Sequence, residues 1–435
     1  MRATVIGAGL AGCEAAWQLA ERGVSVTLCE MKPKKYSPAH SYEGFAELIC
    51  SNSLKASRLE SAAGLLKHEM ELLGSLLVRV AKENAVEAGG ALAVDRKGFS
   101  DGVTREILGH PLITVVYDEI TEIPEGEVVI ATGPLTSDSF AQQIKKLCSS
   151  EYLSFYDAAA PIVSFESIDR ERVFFAARYG RGDDDYINCP MDKAEYEAFH
   201  EALVSAESAP LHEFDQQLKV YEGCMPVEVL AKRGQDAIRY GPLKPVGLTD
   251  PRTGRRPWAV VQLRKENRAG TLYNLVGFQT NLKFPEQKRV FSMIPGLEHA
   301  DFQRYGVMHR NTFLDSPRLL EQDMSLKKDS HIYFAGQITG TEGYMESAAG
   351  GILAGINLAR KLRGQAPLIL PADTMTGALV GYITDETVKD FQPMGSNMGI
   401  LPPLSERVRD KKKRYGMLAQ RAMDSLKAYL QEQGL

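Results

Sequence analysis

At 435 residues the chain is about two to three times ordinary single-domain length, which leaves room for a substantial core and more than one lobe. A hydrophobic content of 44% points to a folded globule, and a formal net charge of −5 excludes a globally basic nucleic-acid binder; a polyanionic partner would need a local basic surface. With no apolar run of membrane-spanning length and no secretory leader, a cytoplasmic protein is expected. The scattered cysteines, Cys13, Cys29, Cys50, Cys148, Cys189 and Cys224, lack the spacing of a zinc site or disulfide framework, so no metal is expected.

Ala3 to Ile6 form a short apolar run entering Gly7-Ala8-Gly9-Leu10-Ala11-Gly12, and Cys13 to Leu19 continue with amphipathic helical spacing. This is the strand, turn and helix context that GxGxxG requires. Gly7 permits the tight turn, Gly9 lets a pyrophosphate approach the backbone, and Gly12 allows close helix packing, with the phosphate charge on the helix N-terminus. Val24 to Leu28 supply a second strand, closed by Glu30, whose carboxylate suits ribose hydroxyls. Cys13 and Cys29 fall within these elements and read as packing residues.

Next comes FAELICSNSLK, Phe45 to Lys55, in which Cys50 precedes a polar Ser-Asn-Ser stretch that favours a turn or cap. Further on, VVIATG, Val128 to Gly133, reads as a buried strand ending in a small-residue turn. Residues 156–304 change character: Ala160 to Phe165, Ala259 to Leu263 and Leu272 to Phe278 suggest strands, and Lys193 to Val204 a helix. Within this stretch Arg252, Arg255 and Arg256 lie on a Gly/Pro loop ahead of Trp258. Such a loop fits phosphate forks with an aromatic stacking face, or an ordinary solvated loop.

Near the end, HIYFAGQITGTEGYMESAAGGILAGINLARKL is a strand, a glycine loop and a long helix whose positive N-terminus could face a reduced flavin. This segment and VVIATG favour FAD over NAD. Cofactor contacts are expected from Gly7, Ala8, Gly9, Leu10, Ala11, Gly12, Glu30, Thr132, Gly133, Gly336, Gln337 and Gly351. Helical spacing recurs from Ser405 to Leu430 with a basic cluster, Arg407, Arg409, Lys411, Lys412, Lys413 and Arg414. The expected fold class is α/β. A discontinuous Rossmann-like FAD-binding domain, 1–155 and 305–375, holds an inserted α+β substrate lobe, 156–304, and precedes a C-terminal segment, 376–435, with a basic helix.

Four stretches, VIGAGLAGCEAAW, PAHSYEGFAELICSNSLK, YEGCMPVEVLA and YFAGQITGTEGYMESAAGGILAGINLAR, together resemble the folate- and FAD-dependent tRNA (uracil-5-)-methyltransferase family, TrmFO, a relative of the longer GidA or MnmG proteins. The resemblance implies that methylenetetrahydrofolate supplies one carbon, FAD supplies electrons after reduction by NADPH or NADH, and a T-loop uridine of tRNA becomes 5-methyluridine. C5 of uracil is a poor nucleophile until a thiolate adds to C6, so an exposed cysteine is required. By the resemblance Cys224 is that nucleophile and Cys50 its partner near the flavin, while Cys148 and Cys189 read as buried. It also places His309 on the folate pterin. Tyr344 fits either a stacking surface or ordinary helix packing. Two other readings fit the flavin motifs or the basic segments: a dithiol oxidoreductase acting on a small molecule, and a noncatalytic RNA-binding flavoprotein. No protein partner is evident.

Overall fold

The computed structural model describes residues 1–148, 153–158, 160–180, 185–209, 225–389 and 391–434, with 153–158 and 308–312 described as backbone only. Its first sheet runs in the order Ser325–Leu326, Asp329–Phe334, Val128–Ile130, β1 (Arg2–Ile6), β2 (Ser25–Glu30) and Ile113–Tyr117. The five longer neighbours pair in parallel, and only the Ser325–Leu326 edge is antiparallel. Val5, Val128, Val129 and Ile130 are fully buried, as expected where helices and loops cover both faces of a parallel sheet. The strand Asp329–Phe334 lies directly beside Val128–Ile130, Ile332 opposite Val128. A late segment thus completes the sheet begun by the first residues.

Between β1 and β2 runs α1 (Leu10–Glu21), rich in alanine and therefore a good helix former. It crosses the helix Tyr344–Leu362 at very short range. A Cβ on Gly351 would stand 2.2 Å from the Ala11 carbonyl oxygen, and one on Gly355 would stand 2.7 Å from that of Ala15. Glycine is required at both positions because any side chain would drive the helices apart.

A second six-stranded sheet, in the order Phe174–Phe175, Tyr186–Met191, Ala259–Lys265, Leu272–Leu275, Ile162–Ser164 and Phe302–Arg304, has its own core around Phe199, Phe278 and Phe291. Its helix Lys193–Ser205 starts at Asp192, which forms a reciprocal capping box with Glu195. Two apolar runs end sooner as strands than expected. Ile162–Ser164 gives way to a 3-10 turn, and Leu272–Leu275 is followed by Gly277 at φ +79°. An antiparallel ribbon of Leu153–Ala158 and Met308–Phe313 carries the chain in and out of this region.

The C-terminal helix is Lys411–Glu432, so the helix expected from Ser405 begins six residues later. Asp410 accepts a hydrogen bond from Lys413 N and fixes the start there, leaving Arg407 and Arg409 outside the helix. Lys411, Lys412 and Lys413 are exposed, while Leu418, Ala422 and Leu426 are buried in the main core. Among the described residues no helix is long and apolar enough to cross a membrane.

Candidate active site

Two helices present uncapped N-termini to one cleft. α1 starts behind Gly9 and Tyr344–Leu362 behind Gly343, neither with a side-chain cap. By contrast Ser61, Ser75, Asp95, Asp192, Thr374 and Asp410 each satisfy the first turn of their own helix. The first turn of α1, which holds no acidic residue, is therefore left for an anionic or electron-rich ligand, whereas the first turn of Tyr344–Leu362 already carries the buried carboxylate of Glu346.

The cleft is lined by Gly7, Ala8, Gly9, Leu10, Ala11, Glu30, Thr132, Gly133, Gly336, Gln337, Tyr344 and Ser347, among others. The three glycines of the turn Gly7 to Gly12 differ in their roles. Gly7 has φ +97° and Gly12 has Gly7 O at 1.8 Å from a virtual Cβ, so both are fixed by the turn itself. Gly9 has an ordinary φ of −73° and nothing within 4 Å of its virtual Cβ. That open space faces the bare helix end, as a pyrophosphate cradle requires. Glu30 is buried at the end of β2, where its carboxylate accepts hydrogen bonds from Ala8 N at 2.9 Å and Lys32 N at 2.9 Å. These bonds aim it at the cleft with lone pairs left for hydroxyl donors. Gly351 lies against Ala11 and does not line the cleft, so it serves the cofactor segment by seating one helix on the other.

At one end of the cleft Tyr344 meets the Cys50 turn. Its hydroxyl oxygen accepts from Cys50 N at 2.8 Å and Ser51 N at 3.3 Å, and stands 3.0 Å from Cys50 Sγ. A phenol has two lone pairs and one proton. With both lone pairs directed at backbone N–H groups, the proton is the part left for sulfur, so Tyr344 donates to Cys50. Burial, and next the Cys50 charge, push the Tyr344 hydroxyl well above its usual range, which keeps it a donor.

The turn is also held from the second sheet. Arg264 donates to Ser51 Oγ at 2.7 Å and Asn52 Oδ1 at 3.0 Å, while Asn52 Nδ2 donates to Val94 O and Lys265 O. Arg96 donates to the Leu48 and Ile49 carbonyls and pairs with Glu266 at 2.6 Å. Cys50 is thus a half-buried thiol on a turn clamped between the two sheets. Cys13, Cys29, Cys148 and Cys189 are buried, and burial raises all four thiols, Cys148 to about 11.

Comparison with known proteins agrees with this geometry. Residues 2–366 match the family model described as glucose inhibited division protein A. A protein of Heliobacterium modesticaldum named methylenetetrahydrofolate–tRNA-(uracil-5-)-methyltransferase TrmFO is 58% identical over 433 residues, covering 99% of this chain and 98% of the relative. One of the same name from Enterococcus faecalis is 56% identical, with 97% of each covered. The chain belongs to the TrmFO family. The structure of Aquifex aeolicus GidA in its form II crystal has the same fold, with a TM-score of 0.72 at 16% identity, covering 98% of this chain and 73% of that one.

Not every expected TrmFO site residue is gathered at the cleft. Cys224 lies outside the described residues. His309 is on the ribbon opposite Asp157, and only its backbone is described. Arg252, Arg255 and Arg256 occupy a turn in a separate open cavity with Trp258. There Arg252 is already engaged, forking onto Asp250 and donating to Glu171 O, whereas Arg255 and Arg256 are exposed. One face of Trp258 is covered by Arg239, 3.9 Å from the ring centroid, so stacking on that face is taken. Sequence reading missed Lys32, Glu47, Arg96 and Arg264, and took Asn52 only as part of a polar turn. The ion pair Lys32–Glu47, at 3.3 Å, forms part of the cleft wall. Lys32 and Glu47 meet across one loop with no periodic signal to mark them, and Arg96 and Arg264 gain their partners from segments far away in the chain.

Proposed function

We propose that the protein is a cytoplasmic methyltransferase that moves one carbon from methylenetetrahydrofolate to C5 of the T-loop uridine of tRNA, with FAD in the two-helix cleft and NADPH or NADH as electron donor. The observation that carries the reading is the Cys50 turn, tied by Tyr344 to the mouth of a dinucleotide cleft. Bound FAD, once reduced, supplies the electrons that bring the transferred carbon to the methyl level.

The chain's own residues then have separate tasks. Gly9 and the bare start of α1 receive the pyrophosphate, and Glu30 holds the ribose of its adenosine. Thr132, Gly133, Gly336 and Gln337 lie along the remaining cleft wall. Cys224 adds through sulfur to C6 of uracil, which makes C5 nucleophilic. Cys50, on a turn kept in place by Tyr344, Arg264 and Arg96, would take the C5 proton. His309 packs on the pterin of the folate.

The test combines the purified protein with unmodified tRNA, methylenetetrahydrofolate and either nicotinamide, followed by nucleoside analysis. 5-Methyluridine in the T-loop is expected. Dithiol turnover without any need for tRNA, or RNA binding with no turnover, would replace this reading by an oxidoreductase or a binding protein.

A further inference from the structure

Arg304 ends the edge strand Phe302–Arg304 of the second sheet, opposite Ile162. Among the described residues its guanidinium has no hydrogen bond and no ion pair, unlike Arg96 and Arg264 nearby. It is half-buried, and the register Arg264–Asn274–Ile162–Arg304 sets it in the same cross-strand row as Arg264, which holds the Cys50 turn through Ser51; Cys50, Tyr344, Arg96 and Glu266 all act on its charge. Burial, and next the like charge of Arg96, weaken its hold on its proton. Burial of this guanidinium is only partly offset by Glu266, Tyr344 and Cys50, and no hydrogen bond to a described residue completes it.

The surroundings make that charge more pointed. Arg96, Arg264 and Arg304 all act on the Cys50 turn, and Glu266 is the carboxylate that acts on each of them. Glu266 is already used by Arg96 through both of its oxygens. A local surplus of positive charge therefore sits beside the site thiol of a chain whose formal net charge is −5. An arginine presents a planar fork matched to paired oxygens, and one left unpaired next to a reactive group is suited to an anionic ligand.

We propose that Arg304 binds a phosphodiester next to the target uridine, and so sets the depth at which the base enters. This rests on the methyltransferase reading above. A uridine extruded for chemistry at its C5–C6 edge brings its flanking phosphates with it. A cation beside the thiol meets them once the base is in place. Arg304 is a positioning residue in this assignment. Arg255 and Arg256, in a separate cavity, would contact another part of the same polyanion.

The test measures binding of a T-arm RNA hairpin as a function of salt, for the wild type, Arg304→Gln and Arg304→Lys. Each neutralised phosphate contributes about 0.7 to 0.9 to the slope of log K against log salt. Arg304→Gln should lower the slope by about that amount and weaken low-salt binding roughly tenfold, and Arg304→Lys should restore most of the slope. Flavin absorbance of each variant checks that the protein has folded. An unchanged slope in Arg304→Gln overturns the assignment. So does a raised KM for methylenetetrahydrofolate with the RNA slope intact, which would give the arginine to the folate carboxylates. A wild type that fails to bind the hairpin overturns the methyltransferase reading as well, and so is distinguished from failure of Arg304 alone.

Discussion

The hydroxyl of Tyr344 accepts from the backbone nitrogen of Cys50 at 2.8 Å and stands 3.0 Å from that residue's sulfur. One side chain from the start of the cleft helix thereby fixes both the backbone and the thiol of a turn 294 positions earlier in the chain. Tyr344→Phe keeps the ring but leaves two N–H groups without their acceptor and the sulfur without its donor. A loss of about 1 to 3 kcal/mol in site organisation is expected, which corresponds to roughly a 5- to 150-fold fall in methyl transfer. Flavin absorbance should stay near the wild-type ratio. Turnover equal to wild type would mean that the contact only packs the helix.

The glycines of the first turn separate binding from folding. Gly9→Val adds a side chain where no atom lies within 4 Å, so melting temperature should change little while FAD retention is lost. Gly12→Val places Cβ 1.8 Å from Gly7 O and should fail to fold. Absorbance spectra and thermal melts of the two purified variants give the comparison. A Gly9→Val protein that keeps stoichiometric flavin would remove the cradle assignment.

The first turn was readable from sequence because its spacing is set by covalent geometry: strand, φ-positive glycine, open glycine and helix all fall within a dozen residues. Gly351 shows the limit of such reading. Its sequence context demands close approach, but only the fold tells whether the approaching atom is a ligand or, as here, Ala11 O. Arg264 was unreadable for another reason. It meets Asn52 from 212 residues away, within a strand whose other residues are mostly apolar, and no local period encodes that contact. The late start of the last helix reflects competition between polar residues: Asp410 takes the cap position ahead of which the spacing from Ser405 also looked helical.

Of the loop arginines, Arg255 and Arg256 are exposed and Arg252 is committed to Asp250. The double variant Arg255→Ala/Arg256→Ala should lower the salt slope of tRNA binding by about 1.4 to 1.8 if both meet phosphates. Arg252→Ala should instead loosen the turn, with a smaller and less salt-dependent effect. Equal slopes for the double variant and wild type would mark the loop as merely solvated.

Glu69 is buried and caps the distant helix Met375–Ile383, accepting from Met375 N, Thr376 N and Thr376 Oγ1. Burial outweighs these donors and pushes the carboxyl from 4.5 up to about 7. Between those values the folded chain binds more protons than the unfolded one. This group's contribution to stability is therefore greatest below about pH 4.5 and is lost as pH rises through 7. Glu69→Gln removes the titration but leaves an amide nitrogen facing backbone donors, so it should be destabilised throughout. Its deficit relative to wild type should shrink between pH 5 and pH 8 in denaturant melts. A constant deficit would show that Glu69 is ionised across the range.

The last prediction divides the work of the two cysteines. Cys50 sits on a clamped turn at the cleft and Tyr344 donates to its sulfur, a setting that favours a proton-handling partner. Cys224 is assigned the covalent bond to C6 of uracil. RNA carrying 5-fluorouridine traps such a bond, because fluorine at C5 blocks the proton loss that must precede release. Cys224→Ala should therefore give neither 5-methyluridine nor a covalent band on denaturing electrophoresis with the fluorinated RNA. Cys50→Ala should retain FAD and lose methyl transfer, because the dinucleotide contacts at Gly9 and Glu30 are separate from its sulfur. A full-strength band from Cys224→Ala would move the nucleophile to another residue, with Cys50 the first to test, since its thiol is half-buried while those of Cys13, Cys29, Cys148 and Cys189 are buried and raised. Normal methylation by Cys50→Ala would reduce the clamped turn to a structural joint between the sheets.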